Sequence, residues 1–204
     1  MMKQYGEIAF TSQVKAQQEA RGSREMYAGM VARPAPEGFS EREAAFISMR
    51  DSFYMATVSE EGWPYIQHRG GPRGFLKVLS PTELGFADYR GNRQYVSVGN
   101  LQTEQRVSLF LMDYPNRARL KLLGRASVQE AADNPALAER LAIAGQGMVE
   151  RLFTLEIDAF DWNCPQFITP RFTEEELAAS LTPMVEELQT LRQENAFLKQ
   201  ELGR

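Results

Sequence analysis

The hydrophobic positions change period along the chain, and each change marks a different kind of element. From Ser40 the apolar residues Ala44, Ala45, Phe46, Ile47 and Met49 fall on one helical face. Ser40 and Glu43 stand three apart just ahead of them. At that spacing a serine oxygen caps an orphan amide and the glutamate reaches back, so a helix is expected to run to about Arg50. Short runs rich in aromatic and β-branched residues follow, at 53–58, 63–68, 75–79, 84–88, 107–112, 120–128 and 153–157. The first two bracket Glu60-Glu61-Gly62 and read as a hairpin. Two interruptions read as helices: 92–101, with Asn92 as its cap, and 135–144. Six or seven strands so closely spaced leave no room for parallel crossovers, so the pattern predicts a mainly β fold, an antiparallel barrel or sandwich with flanking helices.

The two ends read differently. Residues 1–39 hold helix formers over 7–21, then Gly22-Ser23, Gly29 and the breaker cluster 33–38, and are expected to form an N-terminal arm or lid beside the body at 40–172. At 173–204 the period becomes seven. Thr173 and Glu176 repeat the capping-box spacing, and from Leu181 a heptad places Leu181, Leu188, Asn195 and Leu202 at a and Met184, Leu191 and Leu198 at d. A lone Asn at a favours a parallel, in-register dimer, and Glu187 and Glu194 at g would face Arg192 and Lys199 at e. The tail is therefore either a coiled-coil helix or a single amphipathic helix packed on its own body. Pro183 limits or kinks its start.

Composition narrows the chemistry. The chain has 204 residues, 43% hydrophobic and 25% charged, with one Cys, one His and a net charge of -4. The tail from Thr173 carries seven acids and three bases and accounts for that whole charge, whereas residues 66–125 hold ten bases and four acids. An anion is expected at the basic segment. Nucleic acid fits poorly, because its binders usually show a basic domain overall and exposed aromatic platforms whereas the total here is acidic; a compact phosphate ester fits better. One histidine excludes any site in one chain that needs two, and a Ser-His-Asp hydrolase would have to use His68. One cysteine cannot form an intrachain disulfide, and Cys164 reads as a partly buried thiol or a redox group without a resolving partner. With a polar first ten residues and no apolar run of about 18, the expectation is a cytoplasmic protein without membrane contact.

The bases bracket glycines. Arg69 and Lys77 flank Gly70-Gly71-Pro72-Arg73-Gly74, whose backbone can approach a ligand closely, and Asp88-Tyr89-Arg90-Gly91-Asn92-Arg93-Gln94 ends in the expected helix start, where amides favour an anion. Neither a Walker A spacing nor a GxGxxG opening a βαβ unit is present. His68, beside Arg69, can hydrogen-bond a ligand, donate a proton to substrate, or serve a strand end structurally.

These motifs resemble a known family. Gly74-Phe75-Leu76-Lys77, Leu84-Gly85-Phe86-Ala87-Asp88, Gly91-Asn92-Arg93-Gln94, Arg106-Val107-Ser108-Leu109-Phe110, Tyr114-Pro115-Asn116-Arg117 and Arg119-Leu120-Lys121-Leu122-Leu123-Gly124 look like the core of the pyridoxamine 5'-phosphate oxidase-related split-barrel proteins, over roughly residues 42 to 172. The resemblance implies a six- to seven-stranded split β-barrel, a homodimer and FMN at the subunit interface. It implies cofactor contacts from Arg69, Lys77, Phe75, Leu76, Ala87 and Asp88, and phosphate contacts from Asn92, Arg93 and Gln94, the last standing where the family has a lysine. Arg119 falls where the family often has a glutamine near the flavin edge, and Trp162 and Gln166 are further candidate contacts. The segment 162–171 lacks the family's Arg-x-His substrate element, which argues against vitamin B6 oxidation and for the flavin-nucleotide-binding subgroup, although Phe167 stands where that subgroup has a histidine. The leading expectation is an FMN-dependent oxidoreductase acting on a small substrate or a nicotinamide donor. A flavin-binding protein without turnover and a coiled-coil interaction module are the alternatives.

Overall fold

The computed structural model describes residues 1–162 and 165–203. Cys164, for which a buried or redox-active thiol was expected, lies outside the described residues. Helix α4 (Glu41–Ser48) starts as its sequence dictates: the Ser40 hydroxyl accepts from the Arg42 amide, and Glu43 returns to the Ser40 amide at 3.0 Å. Seven antiparallel strands follow: β1 (Ser52–Val58), β2 (Pro64–Gly70), β3 (Lys77–Ser80), β4 (Glu83–Tyr89), β5 (Arg106–Asp113), β6 (Ala118–Glu130) and β7 (Val149–Trp162). They form one sheet in the order β2-β1-β5-β6-β7-β4-β3. The fold is the mainly β split barrel that the strand spacing and the family resemblance together indicated.

Period-two burial places the core. Phe53, Met55 and Thr57 of β1, Val107, Leu109 and Leu111 of β5, and Leu120 and Leu122 of β6 all turn inward and are buried. Each large apolar side chain so buried contributes about 1.5–3 kcal/mol. Phe75, Phe53, Phe86 and Phe153 continue this core as a chain of rings with centroids 5.6, 5.4 and 4.7 Å apart. The sheet curls because β6 and β7 shift register between Leu123 and Gly124, where a Cβ on Gly124 would run into the Glu156 carbonyl.

Between β4 and β5, helix α5 (Val96–Thr103) lies against the barrel, and α6 (Pro135–Leu141) precedes β7. The sequence pattern placed the start of α5 at Asn92. The structure moves it to Val96, because Arg93 and Tyr95 adopt left-handed φ angles of 63° and 55° that a helix cannot include. Residues 1–39 fold into three short helices, α1 (Tyr5–Ala9), α2 (Ser12–Ala20) and α3 (Arg24–Val31), where one stretch over 7–21 was expected; the break at Phe10-Thr11 lets the Thr11 hydroxyl cap a new helix. The tail is a continuous helix, α7 (Glu174–Glu201), capped by Thr173 and Glu176 and passing through Pro183. Among the described residues no helix is long and apolar enough to cross a membrane.

Candidate functional site

Strand β2 sorts its side chains by alternation. Tyr65, Gln67 and Arg69 turn to the inner face opposite Thr57, Met55 and Phe53, while Ile66 and His68 point out. Arg69 therefore enters the mouth of the barrel. Its Nη1 donates to Asp88 Oδ1 at 2.8 Å, and its guanidinium lies 5.0 Å from the Phe153 ring centroid and 5.5 Å from that of Phe86. Asp88 sits opposite Arg151 in the β4–β7 register, and its other oxygen accepts from Arg151 Nε at 3.1 Å. Both carboxylate oxygens are thus engaged by guanidinium groups. Asp88 orients two arginines and is not available as a free acceptor.

Two adjoining cavities share this wall. The first, about 290 Å³, is lined by Tyr65, Gln67, Arg69, the loop Gly91–Tyr95, the first turn of α5 and Arg151. The second, about 270 Å³, is lined by His68, Arg69, Gly71, Phe75, Phe86, Ala87, Ile143 and Gln146, and both are bordered by Asp88 and Tyr89. Together they reach the size range of small-ligand sites. Electrostatically the first cavity favours an anion, since Arg69, Arg93 and Arg151 face only Asp88 among the lining acids. The backbone adds to this. The N-cap of α5 is Tyr95, whose side chain caps no amide, and the Ser97 hydroxyl is turned away to Gln67 at 2.8 Å, leaving the helix start open toward the cavity. Asn100 fixes the helix by donating to Thr57 Oγ1 at 2.9 Å.

The loop before α5 is shaped for this job. Asn92 Oδ1 accepts from the Gln94 amide at 3.2 Å, and Arg93 Nε donates to the Tyr95 hydroxyl at 3.4 Å. The Arg93 hydrogen bond first, and that from Arg151 second, hold the Tyr95 phenol below its ordinary pKa. Arg69 Nε is buried without a hydrogen-bond partner among the described residues. A buried guanidinium nitrogen left unpaired is costly, and its position in the shared wall makes it a donor in search of an acceptor.

The structure brings together Arg69, Phe75, Ala87, Asp88, Asn92, Arg93 and Gln94, with His68 exposed at the rim, its ring edge-on to Tyr54 at 5.4 Å. Five expected residues lie elsewhere within one chain. Leu76 is packed in the core, because the turn after Gly74 sends it inward beside Phe75. Lys77 opens β3 opposite Gly85, outside both cavities. Arg119 sits on the outer face near the start of β6, its guanidinium 4.9 Å from the Phe110 ring centroid and its Nε also buried without a partner among the described residues. Trp162 ends β7 and donates to Glu43 Oε1 at 2.7 Å, and Gln166 is exposed on the turn beyond. Sequence reasoning missed Tyr65, Gln67, Tyr95 and Arg151. Alternation from Arg69 would have found the first two; Arg151 and Tyr95 carry no sequence signal, since strand register and a left-handed loop place them.

The sequence profile described as pyridoxamine 5'-phosphate oxidase matches residues 39–157, more than half of the chain. The chain belongs to this family. Members of the pyridoxamine 5'-phosphate oxidase family commonly bind flavin nucleotides. The matched residues span α4 to most of β7, so both cavities belong to the family core, whereas the N-terminal arm and α7 lie outside it. HupZ of Group A Streptococcus has a similar structure, at 12% identity over 66% of this chain and 99% of that one, with a TM-score of 0.51. A putative pyridoxamine 5'-phosphate oxidase of Lactobacillus delbrueckii is 20% identical over 62% of this chain and 95% of that one, with a TM-score of 0.48. No curated protein matches the sequence.

Proposed function

We propose that the protein is an FMN-dependent oxidoreductase that binds its flavin at the paired cavities of the barrel mouth, in a homodimer, and exchanges electrons with a small substrate or a nicotinamide donor. The observation that carries this reading is Arg69 Nε, buried and without a partner among the described residues, on the arginine that lines both cavities. The residues fit the group. Arg93, the open start of α5 and Arg69 supply donors for a phosphate in the first cavity, and the second, walled by Phe75, Phe86 and Ile143, offers apolar surface to a ring system. When bound, the flavin supplies two-electron redox chemistry, and the protein supplies binding, orientation and a proton. His68 Nδ1 or Nε2, exposed at the rim, is the group placed to hold that proton for substrate.

A homodimer also accounts for the residues that one chain leaves apart. In the proposed homodimer, Arg119 on the outward face of β6 and the exposed Gln166 beyond β7 complete the cavity of another protomer, whereas Trp162 stays tied to Glu43. Stopped-flow mixing of the flavin-loaded protein with NADH or NADPH tests turnover. Bleaching of the flavin absorbance supports the oxidoreductase. Absence of reduction by either nucleotide and by a panel of small reductants overturns it in favour of the second reading, a flavin carrier without turnover.

A further inference from the structure

Helix α7 carries a long row of apolar side chains that the described residues leave exposed. It runs unbroken from Glu174 to Glu201, and every described side chain from Leu177 to Gly203 is exposed. Among the described residues its one ion pair with the barrel is at the base, where Glu176 faces Arg73 at 3.6 Å. The alternative that the tail folds back on its own body is therefore not what the structure adopts. Leu181, Met184, Leu188, Leu191, Leu198 and Leu202 form one stripe and are 48–73% exposed. A stripe of that length left in water is an association surface.

We propose that α7 pairs in parallel and in register with α7 of a second copy of this chain. Two features select that occupant and that orientation. The first is charge. In a parallel pair, g faces e of the following heptad, so Glu187 meets Arg192 and Glu194 meets Lys199 across the seam. In an antiparallel pair, g faces g and e faces e, which sets Glu187, Glu194 and Glu201 against one another and Arg192 and Lys199 against one another. The charges thus attract in one orientation and repel in the other. The second feature is Asn195, the only polar residue of the seam. Parallel and in register, the two Asn195 amides meet and satisfy each other; any slipped or antiparallel arrangement buries each against an apolar side chain. Pro183 occupies a c position, off the seam, so its ring leaves the contact surface clear.

The arrangement has an architectural consequence. Parallel pairing puts both Thr173 ends at the same end of the rod, so both barrels lie at that end, on opposite sides of the two-fold axis that runs along the rod. A zipper and a barrel interface that share this axis close at two chains. The pairing does not depend on the flavin reading and is tested without cofactor.

The test uses the full-length chain with its only cysteine removed by Cys164→Ser. Leu198→Cys places a thiol at a d position, and Gln193→Cys places one at f, on the outer face. After mild oxidation, most of the Leu198→Cys chains should migrate as a disulfide-linked dimer on a non-reducing gel, at least tenfold more than the Gln193→Cys chains, with a sedimentation mass of two chains. Leu198→Cys that stays unlinked, as an antiparallel or absent zipper requires, overturns the proposal. Equal linkage of the two variants, or a mass of three or more chains, overturns it as well.

Discussion

Arg69 on β2 and Asp88 on β4 are joined at 2.8 Å although their strands are first and sixth in the sheet order, so this ion pair closes the barrel mouth across the split. Both side chains are nearly buried, and removing one partner leaves the other charge in a poorly hydrated wall. Because Arg151 still holds Asp88, Arg69→Met should lower the unfolding free energy by about 2–3 kcal/mol, whereas Asp88→Asn, which leaves two guanidinium groups facing each other, should lower it by about 3–5 kcal/mol. Urea denaturation measures both. Equal losses, or losses below about 1 kcal/mol, contradict the assignment.

Arg93 separates binding from folding. Its left-handed backbone costs a non-glycine residue of order 1 kcal/mol, and among the described residues its side chain hydrogen-bonds only the exposed Tyr95 hydroxyl. Arg93→Gly removes the charge and the backbone strain together. Stability should change by less than about 1 kcal/mol, because the relief offsets the added freedom of the unfolded chain. FMN affinity should fall about ten- to a hundredfold, the worth of a charge-assisted hydrogen bond. Isothermal titration alongside thermal unfolding reads both numbers, and an unchanged affinity would place the phosphate elsewhere.

Glu43 makes part of the stability dependent on pH. Burial raises its carboxyl, but hydrogen bonds from Ser40 and Trp162 outweigh that and hold it below the ordinary carboxylate value. A depressed folded-state value means that the stabilisation is complete above the unfolded value and is lost as pH falls through the folded one. Glu43→Gln should therefore cost about 1 kcal/mol near neutral pH, with the gap to the parent protein closing below about pH 4. A gap that stays constant from pH 7 to pH 3 argues against this role.

Gly124 is required by a close approach, not by its φ angle. A methyl group there meets the Glu156 backbone at the register shift that curls the sheet, and backbone cannot swing aside as a side chain can. Gly124→Ala should destabilise by about 1–3 kcal/mol. Circular dichroism melts check it; a variant as stable as the parent means that the shift tolerates a side chain.

Much of this fold was legible because it rests on local patterns. Ser40 with Glu43, and Thr173 with Glu176, form the capping boxes that their spacing dictates, and inward residues such as Phe53, Met55, Leu109 and Leu111 alternate as strand periodicity requires. What was not legible depends on contacts between distant positions. Asp88 borders both cavities as expected, but only the strand register shows that Arg69 and Arg151 hold its carboxylate, and Asn92 is not the helix cap because two left-handed residues separate it from the helix. The same limit applies to Arg119, Trp162 and Gln166. Arg119 stands in a motif that carries the family resemblance, and Trp162 and Gln166 in the segment that departs from it, yet in one chain all three lie away from the cavities.

Titration of the apoprotein with FMN, followed by quenching of flavin fluorescence, decides whether the paired cavities hold a flavin nucleotide. Saturable uptake of one FMN per chain is predicted, with riboflavin, which lacks the phosphate, binding at least about tenfold more weakly because Arg69, Arg93 and the start of α5 lose their anion. A protein that leaves added FMN free, or binds riboflavin equally well, contradicts the account.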